Sequence, residues 1–540
     1  MNPSPVQHEV LDDLIAVVGN DGVVFDAAAV ERESRTCIPY RALPDCIVYP
    51  RTTGEVQSIV RLAQANGIPI WPVSTGKNWG YGEKSATYPG GITMVLERMR
   101  AILTVDERLG FALIEPGVTY RDLNTHLKAN GIALWSDCAG TTESASVIGN
   151  ALDKGRGLTP YADHFGALCG MEVVLPDGSL LRTGHITDSV NKVWNLYKWG
   201  VGPYLDGLFA QSNLGIVVKA GVWLMPAPAH FDFLAFEYTK SLDRFPQMIE
   251  DLRRLVFEGV LRSRPHIAND FAMLCILSQY PRHRLDGAKR LGAAALEAWR
   301  REHGVGPWTF GCGLYGSASE VRDHRKRLRH GLRDYGKLWS FGRATEPTAL
   351  GRVVYKALRL GARFSGKSPA FLEQVKPAAD LFRGIPTNEF AKQVYFKSGK
   401  ARPSGAIDPP RDGCGFIWIG PIVPFRAEDV MDALARARRT FDHHEFDFFV
   451  EIIVESPRAL LLLFGVFYER NDEEDADRAK RWYEALRAEM IAAGYPPYRE
   501  TSQSMTGLFD QSPVTGNLLA AIKNALDPTH TIAPGRYGIR

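Results

Sequence analysis

An α+β protein in two parts with a returning C-terminal tail is the fold that this sequence predicts. Three observations carry that reading. Residues 1–235 alternate short apolar runs with glycine-rich loops. Residues 236–500 hold longer strands and longer amphipathic helices, and the change of texture falls at residues 226–230. The last stretch, 501–540, is too short for a domain and is expected to fold back onto another part.

The elements follow in chain order. Residues 6–18 read as a first helix, and a polar, irregular segment runs to about residue 43. Residues 46–49 form a short strand. Residues 53–66 form a helix with Val56, Ile59, Val60 and Ala63 on one face. Gly67 ends that helix and residues 68–73 form a strand that opens into STGKNWGYG, residues 74–82. Strands at 92–96 and 111–115 precede a helix at 119–130 with Leu123 and Leu127 on its apolar side. A second glycine-rich stretch spans 140–157, and 171–183 is a hairpin turning at Pro176-Asp177-Gly178. Residues 209–223 read as a third loop entering a buried strand. Beyond the texture change come helices at 243–257 and 476–493 and strands at 448–453 and 459–466; residues 401–412 are a proline- and glycine-rich surface loop. Residues 517–526 are helical.

Composition narrows the function. With 45% hydrophobic and 23% charged residues in 540, disorder, collagen and a pure coiled coil are excluded. The net charge is 64 − 61 = +3, which gives no reason to expect a polyanion. The basic run HRKRLRH at 324–330 reads as a solvated helix face, so no nucleic-acid partner is expected. Seven cysteines, at 37, 46, 138, 169, 275, 312 and 414, contain no CxxC, which excludes a zinc knuckle, an iron–sulfur cluster and c-type haem attachment. Cys37 and Cys46 could pair in an oxidising compartment, and core thiols are the favoured reading. The N-terminus lacks a basic n-region and an uninterrupted apolar run, so the expected compartment is the cytoplasm, with the periplasm as the alternative. No run is long enough to span a membrane.

Several chemistries are absent. The GxGxxG match at 311–316 (GCGLYG) lacks a βαβ setting, and there is no GxxxxGK[ST], GxSxG or HExxH. What remains is three glycine-rich loops, at 74–82, 140–157 and 207–215. Their backbone amides can hold a pyrophosphate, with plain tight turns as the competing reading. Three such loops in one half favour a large anionic cofactor.

The stretches PVSTGKNWGYG (72–82), EPGVTY (115–120), VIGNALDKGRGLTPYADHF (147–165), MEVVLPDGSLLRTG (171–184), WGVGPYLDGLFAQSNLGIVVKAGVWLMP (199–226) and IAPGRYGI (532–539) resemble the vanillyl-alcohol oxidase / p-cresol methylhydroxylase flavoprotein family, closer to its p-cresol methylhydroxylase branch. The resemblance spans nearly the whole chain and keeps the motif order. It implies a two-domain FAD-binding fold: residues 1–235 as an FAD domain of two α+β subdomains, 236–500 as an antiparallel-sheet substrate cap, and 501–540 returning to the FAD domain. It assigns FAD contacts to Pro72, Ser74, Thr75, Gly76, Lys77, Asn78 and Gly80, to Gly149, Asn150, Gly155, Gly157, Tyr161 and His164, and to Gly215, Ile216, Val217 and Arg536.

Flavin attachment divides the family. The histidine of the alcohol-oxidase branch has no counterpart in CGFIWIGP (414–421), where Phe416 or Gly415 takes its place. The tyrosine branch is matched by GIPTNEFAKQVY (384–395), with a spacing from Glu389 two residues longer than the family pattern, and Trp418 fits the same branch. The resemblance thus implies FAD linked O-tyrosyl through Tyr395, the competing reading being an ordinary strand aromatic.

Family substrates are para-substituted phenols. Hydride leaves the carbon para to the hydroxyl, a p-quinone methide forms and water adds. The resemblance places Tyr81, Tyr498 and Arg499 at the phenolate oxygen, which suits two hydroxyl donors and a fixed guanidinium fork. It places Glu451 near flavin and substrate as a base for the added water, level with a structural ion pair to Arg458; Glu389 is a weaker catalytic candidate. Two departures stand out. Leu460–Leu463 replace a histidine that family members often carry, and SDCAGTTES (136–144) keeps the outer Asp137 while the inner aspartate is lost, Glu143 substituting only if the loop is rebuilt. The implied function is FAD-dependent oxidation and hydroxylation of 4-alkylphenols with electrons passed to a separate c-type cytochrome. The alternative is an oxygen-using phenol oxidase releasing peroxide. A non-catalytic flavin-binding protein is disfavoured by the joint presence of Tyr81, Tyr498, Arg499 and Glu451. A homodimer core is also implied.

Overall fold

The computed structural model describes residues 6–184, 191–342, 353, 355–356 and 369–540. The first of three main sheets has four strands, in the order Val23–Val24, Cys46–Val48, Ile92–Val95, Ile70–Val73, the last three parallel. The helix Thr53–Ala65 is started by the Thr52 hydroxyl, which accepts from Glu55 N, and it buries Val56, Ile59, Val60 and Ala63. The tail joins this sheet: Ile70 N donates to Thr531 O (2.7 Å) and Ala533 N to Ile70 O (2.8 Å). Its approach is held by the fully buried pair Lys523–Asp527 (2.6 Å), whose carboxylate also accepts from Thr531 N and Ile532 N. An additional short helix, Ala27–Glu33, lies in the segment expected to be irregular; the Asp26 side chain caps it by accepting from Ala29 N.

The second sheet is antiparallel, in the order Ile102–Asp106, Phe111–Ile114, Ile216–Trp223, Leu168–Val174, Leu180–Arg182. Thr119 and Asp122 form a reciprocal capping box on the helix Tyr120–Ala129.

The third sheet has eight strands, all antiparallel, in the order Gly336–Ser340, His230–Tyr238, Trp308–Gly316, His266–Asn269, Phe449–Val454, Ala459–Tyr468, Gly415–Ile419, with Ile422–Pro424 also on Ala459–Tyr468. Strand alternation divides its residues. Phe236, Phe310, Ile267, Ile452, Leu462 and Ile417 share one core cluster with the helices Phe245–Phe257, Ala318–Leu332, Ala427–His443 and Glu473–Ala492. The opposite face carries Ala235, Gly311, Ala268, Glu451, Leu463 and Trp418, which are paired or offset by two along adjacent strands. Gly465 lies on that face because Trp418 crosses it: a Cβ there would sit 2.0 Å from the indole. GCGLYG belongs to this sheet, inside Trp308–Gly316, rather than to a nucleotide loop.

The basic run 324–330 lies on the helix Ala318–Leu332, where Arg325 pairs with Asp232 (3.2 Å) and Arg327 with Glu258 (2.5 Å). All seven cysteines are buried and unpaired, Cys37 and Cys46 included. No helix among the described residues is long and apolar enough to cross a membrane.

Lys523→Ala would leave the Asp527 carboxylate buried without its cation. A loss of about 3–5 kcal/mol is expected for a broken buried pair, read as a fall in the thermal unfolding midpoint.

Candidate active site

A cavity of about 430 Å³ lies between the glycine loops and the inner face of the eight-stranded sheet. The loop after strand Ile70–Val73 forms one end. The backbone amides of Thr75, Gly76, Lys77 and Asn78 make no hydrogen bond to the described residues, and all four residues line the cavity. The loop is held from behind by Glu83, whose carboxylate accepts from Gly80 N (2.9 Å) and Cys37 N (3.2 Å). Burial raises the Glu83 pKa to about 7, against the pull of those two amides.

The second loop packs directly on the first. Ser146 N donates to Thr75 Oγ1 (3.2 Å), and Ser146 Oγ donates to Pro116 O (2.6 Å) while capping Gly149 N (2.8 Å). A Cβ on Gly149 would stand 2.0 Å from Ser74 Oγ, so only glycine permits this approach. A row of free amides bordered by such close loops fits the pyrophosphate of a dinucleotide cofactor.

Elsewhere on the wall are two phenols and a buried cation. Tyr81 and Tyr498 hydroxyls are 3.5 Å apart, and the Arg499 Cζ lies 5.1 and 5.2 Å from their ring centroids. Arg499 Nε and Nη2 donate to Asp153 O (2.9 and 2.7 Å), and Nη1 donates to Asn78 Oδ1 (3.0 Å). Burial works against the Arg499 charge, yet Tyr498, Asp153 and Tyr81 hold its pKa above the ordinary value. Burial, with Tyr498 beside it, pushes the Tyr81 phenol well up, so Tyr81 is a neutral hydroxyl donor.

The sheet supplies the remaining wall. Glu451 is buried, and its partner is His266 on the neighbouring strand (Nδ1 to Oε2, 3.2 Å) rather than Arg458, whose guanidinium lies over Phe257. His266 Nε2 and Thr309 Oγ1 on the sheet, Gln374 Oε1 and Gln393 Oε1 on the segments that cover it, and Trp79 Nε1 on the first loop are buried around the cavity without hydrogen-bond partners among the described residues.

The structure brings most of the sequence-predicted residues to one cavity: Pro72, Ser74, Thr75, Gly76, Lys77, Asn78 and Tyr81 from the first loop; Gly149, Asn150 and Gly155 from the second; Gly215, Ile216 and Val217 from the third; and Glu451, Tyr498, Arg499 and Arg536. Six others are off the wall. Gly80 packs behind the loop, where a Cβ would meet Trp418 at 2.3 Å. Gly157 lies against Asp137, and His164 binds Asp137 Oδ2 (2.8 Å) and Asn150 Oδ1 (2.6 Å), a buried support for the loop rather than a cavity contact. Tyr161 follows the same turn, its N–H on Thr159 Oγ1. Glu389 pairs with Lys392 (2.6 Å) and is 40% exposed at its side chain, so it is not placed for catalysis. Tyr395 is on the 3₁₀ turn Phe390–Tyr395 rather than a strand, 1% exposed; its hydroxyl donates to Asp412 Oδ2 (2.5 Å) and accepts from Asp408 N (3.1 Å). Burial and Asp412 both raise its pKa. In this structure that oxygen is engaged by Asp412 and Asp408, so an O-tyrosyl link to FAD requires Tyr395 to leave them. Asp137 is likewise structural, accepting from Leu158 N and Thr159 N, and Glu143 bonds Arg121 and Asn388 instead of replacing the lost aspartate.

Sequence reasoning missed Asp153, His266, Gln374 and Gln393. The nearest signal for Asp153 was its place inside the second glycine-rich stretch. His266 stands 185 residues from Glu451, and only the pairing of their strands brings the two together.

A row of amides that fits a pyrophosphate, adjoining a buried two-tyrosine, one-arginine cluster, suits an FAD-dependent oxidoreductase, and the comparisons with known proteins give that class. An FAD-binding-domain family matches residues 44–184. The chain is 33% identical to 1'-carboxy-chondrochloren decarboxylase of Chondromyces crocatus, over 100% of this chain and 98% of that protein. It is 29% identical to the flavoprotein subunit of 4-cresol dehydrogenase (hydroxylating) of Pseudomonas putida, over 97% and 94%. Among solved structures, p-cresol methylhydroxylase with substrate bound superposes with a TM-score of 0.88 at 26% identity, over 99% of this chain and 98% of that one. The 4-ethylphenol oxidase from Gulosibacter chungangensis in its isoeugenol complex gives 0.88 at 25%, over 100% and 99%. The chain belongs to the vanillyl-alcohol oxidase / p-cresol methylhydroxylase flavoprotein family, and it is an FAD enzyme.

Two outcomes are expected. Gly149→Ala forces the two loops apart and is expected to yield protein with little FAD, read from the flavin absorbance of the purified variant. Acid precipitation of the wild type is expected to release the yellow colour into the supernatant; colour kept in the pellet by the wild type and lost in Tyr395→Phe would show that Tyr395 leaves Asp412 to carry the flavin.

Proposed function

We propose that this enzyme oxidises para-substituted phenols, 4-alkylphenols above all, by hydride removal from the carbon para to the hydroxyl, with water adding to the resulting p-quinone methide and the electrons passing to a separate c-type cytochrome. The observation that carries the reading is the cluster of Tyr81, Tyr498 and Arg499 on a cavity bordered by the cofactor loops. Bound FAD supplies the hydride acceptor.

The chain's own part is electrostatic. A benzylic C–H bond is a poor hydride donor until the phenol oxygen carries negative charge and pushes it through the ring. Tyr81, held neutral by burial, donates a hydrogen bond to such an oxygen, and Arg499 keeps a fixed positive charge beside it. Asp153 and Asn78 fix the guanidinium before substrate arrives, so little reorganisation accompanies charge development. The apolar inner face of the sheet, with Phe233, Ala235, Leu461 and Leu463, offers surface against which the ring and side chain of the substrate can be buried. The cytochrome is proposed from the similarity to the 4-cresol dehydrogenase flavoprotein subunit.

A second reading is favoured by the 33% full-length identity to a decarboxylase. A 4-alkylphenol with a carboxylate one carbon beyond the benzylic position reaches the same quinone methide. The C–CO₂⁻ bond then breaks, its electron pair forms an alkene, the exocyclic pair returns to the ring as phenolate, and CO₂ leaves.

Anaerobic mixing with 4-alkylphenols is expected to bleach the flavin, with oxygen or cytochrome c then added to identify the acceptor. Tyr81→Phe, with FAD still bound, and Arg499→Lys, compared at equal flavin content, are expected to slow bleaching by ~10²–10³, the usual consequence of deleting one donor to a developing oxyanion. Unchanged bleaching in both variants would overturn the assignment.

A further inference from the structure

The phenol cluster explains how hydride is released and leaves open which group takes the proton of the adding water. Glu451 was the sequence candidate, but its Oε2 already faces His266 Nδ1 at 3.2 Å. A neutral imidazole that donates Nδ1–H to a carboxylate presents a lone pair at Nε2. Here Nε2 is buried with no partner among the described residues, on a side chain that lines the cavity. A buried polar atom left unpaired in this way is costly unless something else meets it.

Register fixes where the pair stands. His266 is opposite Ile453, and Ile453 is opposite Leu461. Leu461 and the Tyr498 ring flank the same spot, the space where a Cβ on Gly420 would fall. His266 is therefore two strand spacings from the Tyr498 contact, roughly 10 Å, on the same face of the sheet. That separation suits a phenol held by its oxygen at the tyrosines with its para side chain directed toward His266. The row between them, Ile453 and Leu461, is apolar.

We infer that His266, oriented by Glu451, is the catalytic base for water addition: Nε2 accepts a proton as the water oxygen bonds to the exocyclic carbon. Water's O–H bond breaks and the C–O bond forms. The electron pair of the exocyclic double bond returns to the ring and ends as phenolate at the tyrosine–arginine cluster. Glu451 is then a positioning residue that stabilises the imidazolium. The inference rests on the phenol reading above.

4-Ethylphenol is the probe, because its quinone methide either adds water, giving 1-(4-hydroxyphenyl)ethanol, or loses a proton, giving 4-vinylphenol. His266→Gln and Glu451→Gln are made, and flavin content and unfolding midpoint are read first. His266→Gln is expected to bleach the flavin within about threefold of the wild-type rate while the alcohol-to-vinylphenol ratio falls tenfold or more, a modest share of the ~10²–10⁴ that a positioned base contributes. Glu451→Gln, which also carries the test if the histidine variant does not fold, is expected to lower the ratio by a smaller factor, read after complete flavin reduction so that any change in bleaching rate does not enter. A wild-type ratio in the folded variants overturns the base assignment. Wild-type enzyme that no phenol bleaches overturns the phenol reading instead.

Discussion

A guanidinium only 6% exposed has to be surrounded by acceptors, and satisfying Arg499 draws four distant pieces of chain to one point. Asp153, at the end of helix Val147–Leu152, gives its carbonyl to two Arg499 nitrogens. Its carboxylate takes Asn78 Nδ2 (3.0 Å) from the first loop and the Tyr537 hydroxyl (2.9 Å) from the tail. Asn78 returns its own oxygen to Arg499. Gln211, from the third loop, closes the ring by donating to Tyr498 O (2.9 Å). The cofactor loops, the phenol cluster and the tail therefore share one electrostatic constraint, and the returning tail is part of the active-site wall.

The large sheet answers a different demand. One face buries an aliphatic and aromatic core under four helices; the other must stay open and apolar enough to receive an aromatic ring. Period-two alternation does both with the same strands. Glycines at 311 and 465 keep the inner face low where Phe233 and Trp418 lean across it. On that wall a single titratable pair has more leverage than on a surface, since low polarity strengthens each hydrogen bond it makes.

What the sequence could reveal followed from whether a signal was local. The helix Thr53–Ala65 was legible from four apolar positions, and the strand pair Leu168–Val174 and Leu180–Arg182 from a Pro-Asp-Gly turn. The helix Ala27–Glu33 was missed because about two turns capped by Asp26 have little periodicity. The loop residues of the cavity came from motif resemblance, as did Tyr81 beside Tyr498 and Arg499, since no spacing rule joins residues over four hundred positions apart. Tyr395 and Glu389 lie off the cavity wall for one reason that the sequence could not carry: a motif register off by two residues cannot say which side chains of a 3₁₀ turn face inward. His266 was invisible because its meaning depends on strand register, and register is a tertiary property.

On the proposed mechanism, the tyrosine–arginine cluster and the histidine–glutamate pair divide the chemistry between charge and proton. The cluster favours any para-substituted phenol that can place negative charge on its oxygen, so by itself it does not select among water addition, proton loss and loss of CO₂. Those fates separate at the side-chain carbon, where the inner sheet face offers a His266 Nε2 unpartnered among the described residues, with Ile453 and Leu461 beside it. A base at that point favours water over an unassisted leaving group, whereas a carboxylate on the substrate would bring a second negative charge toward Glu451. On the proposed mechanism, the sheet register that sets His266 beside Glu451 would act on product identity, while the buried arginine would act on whether the intermediate forms at all.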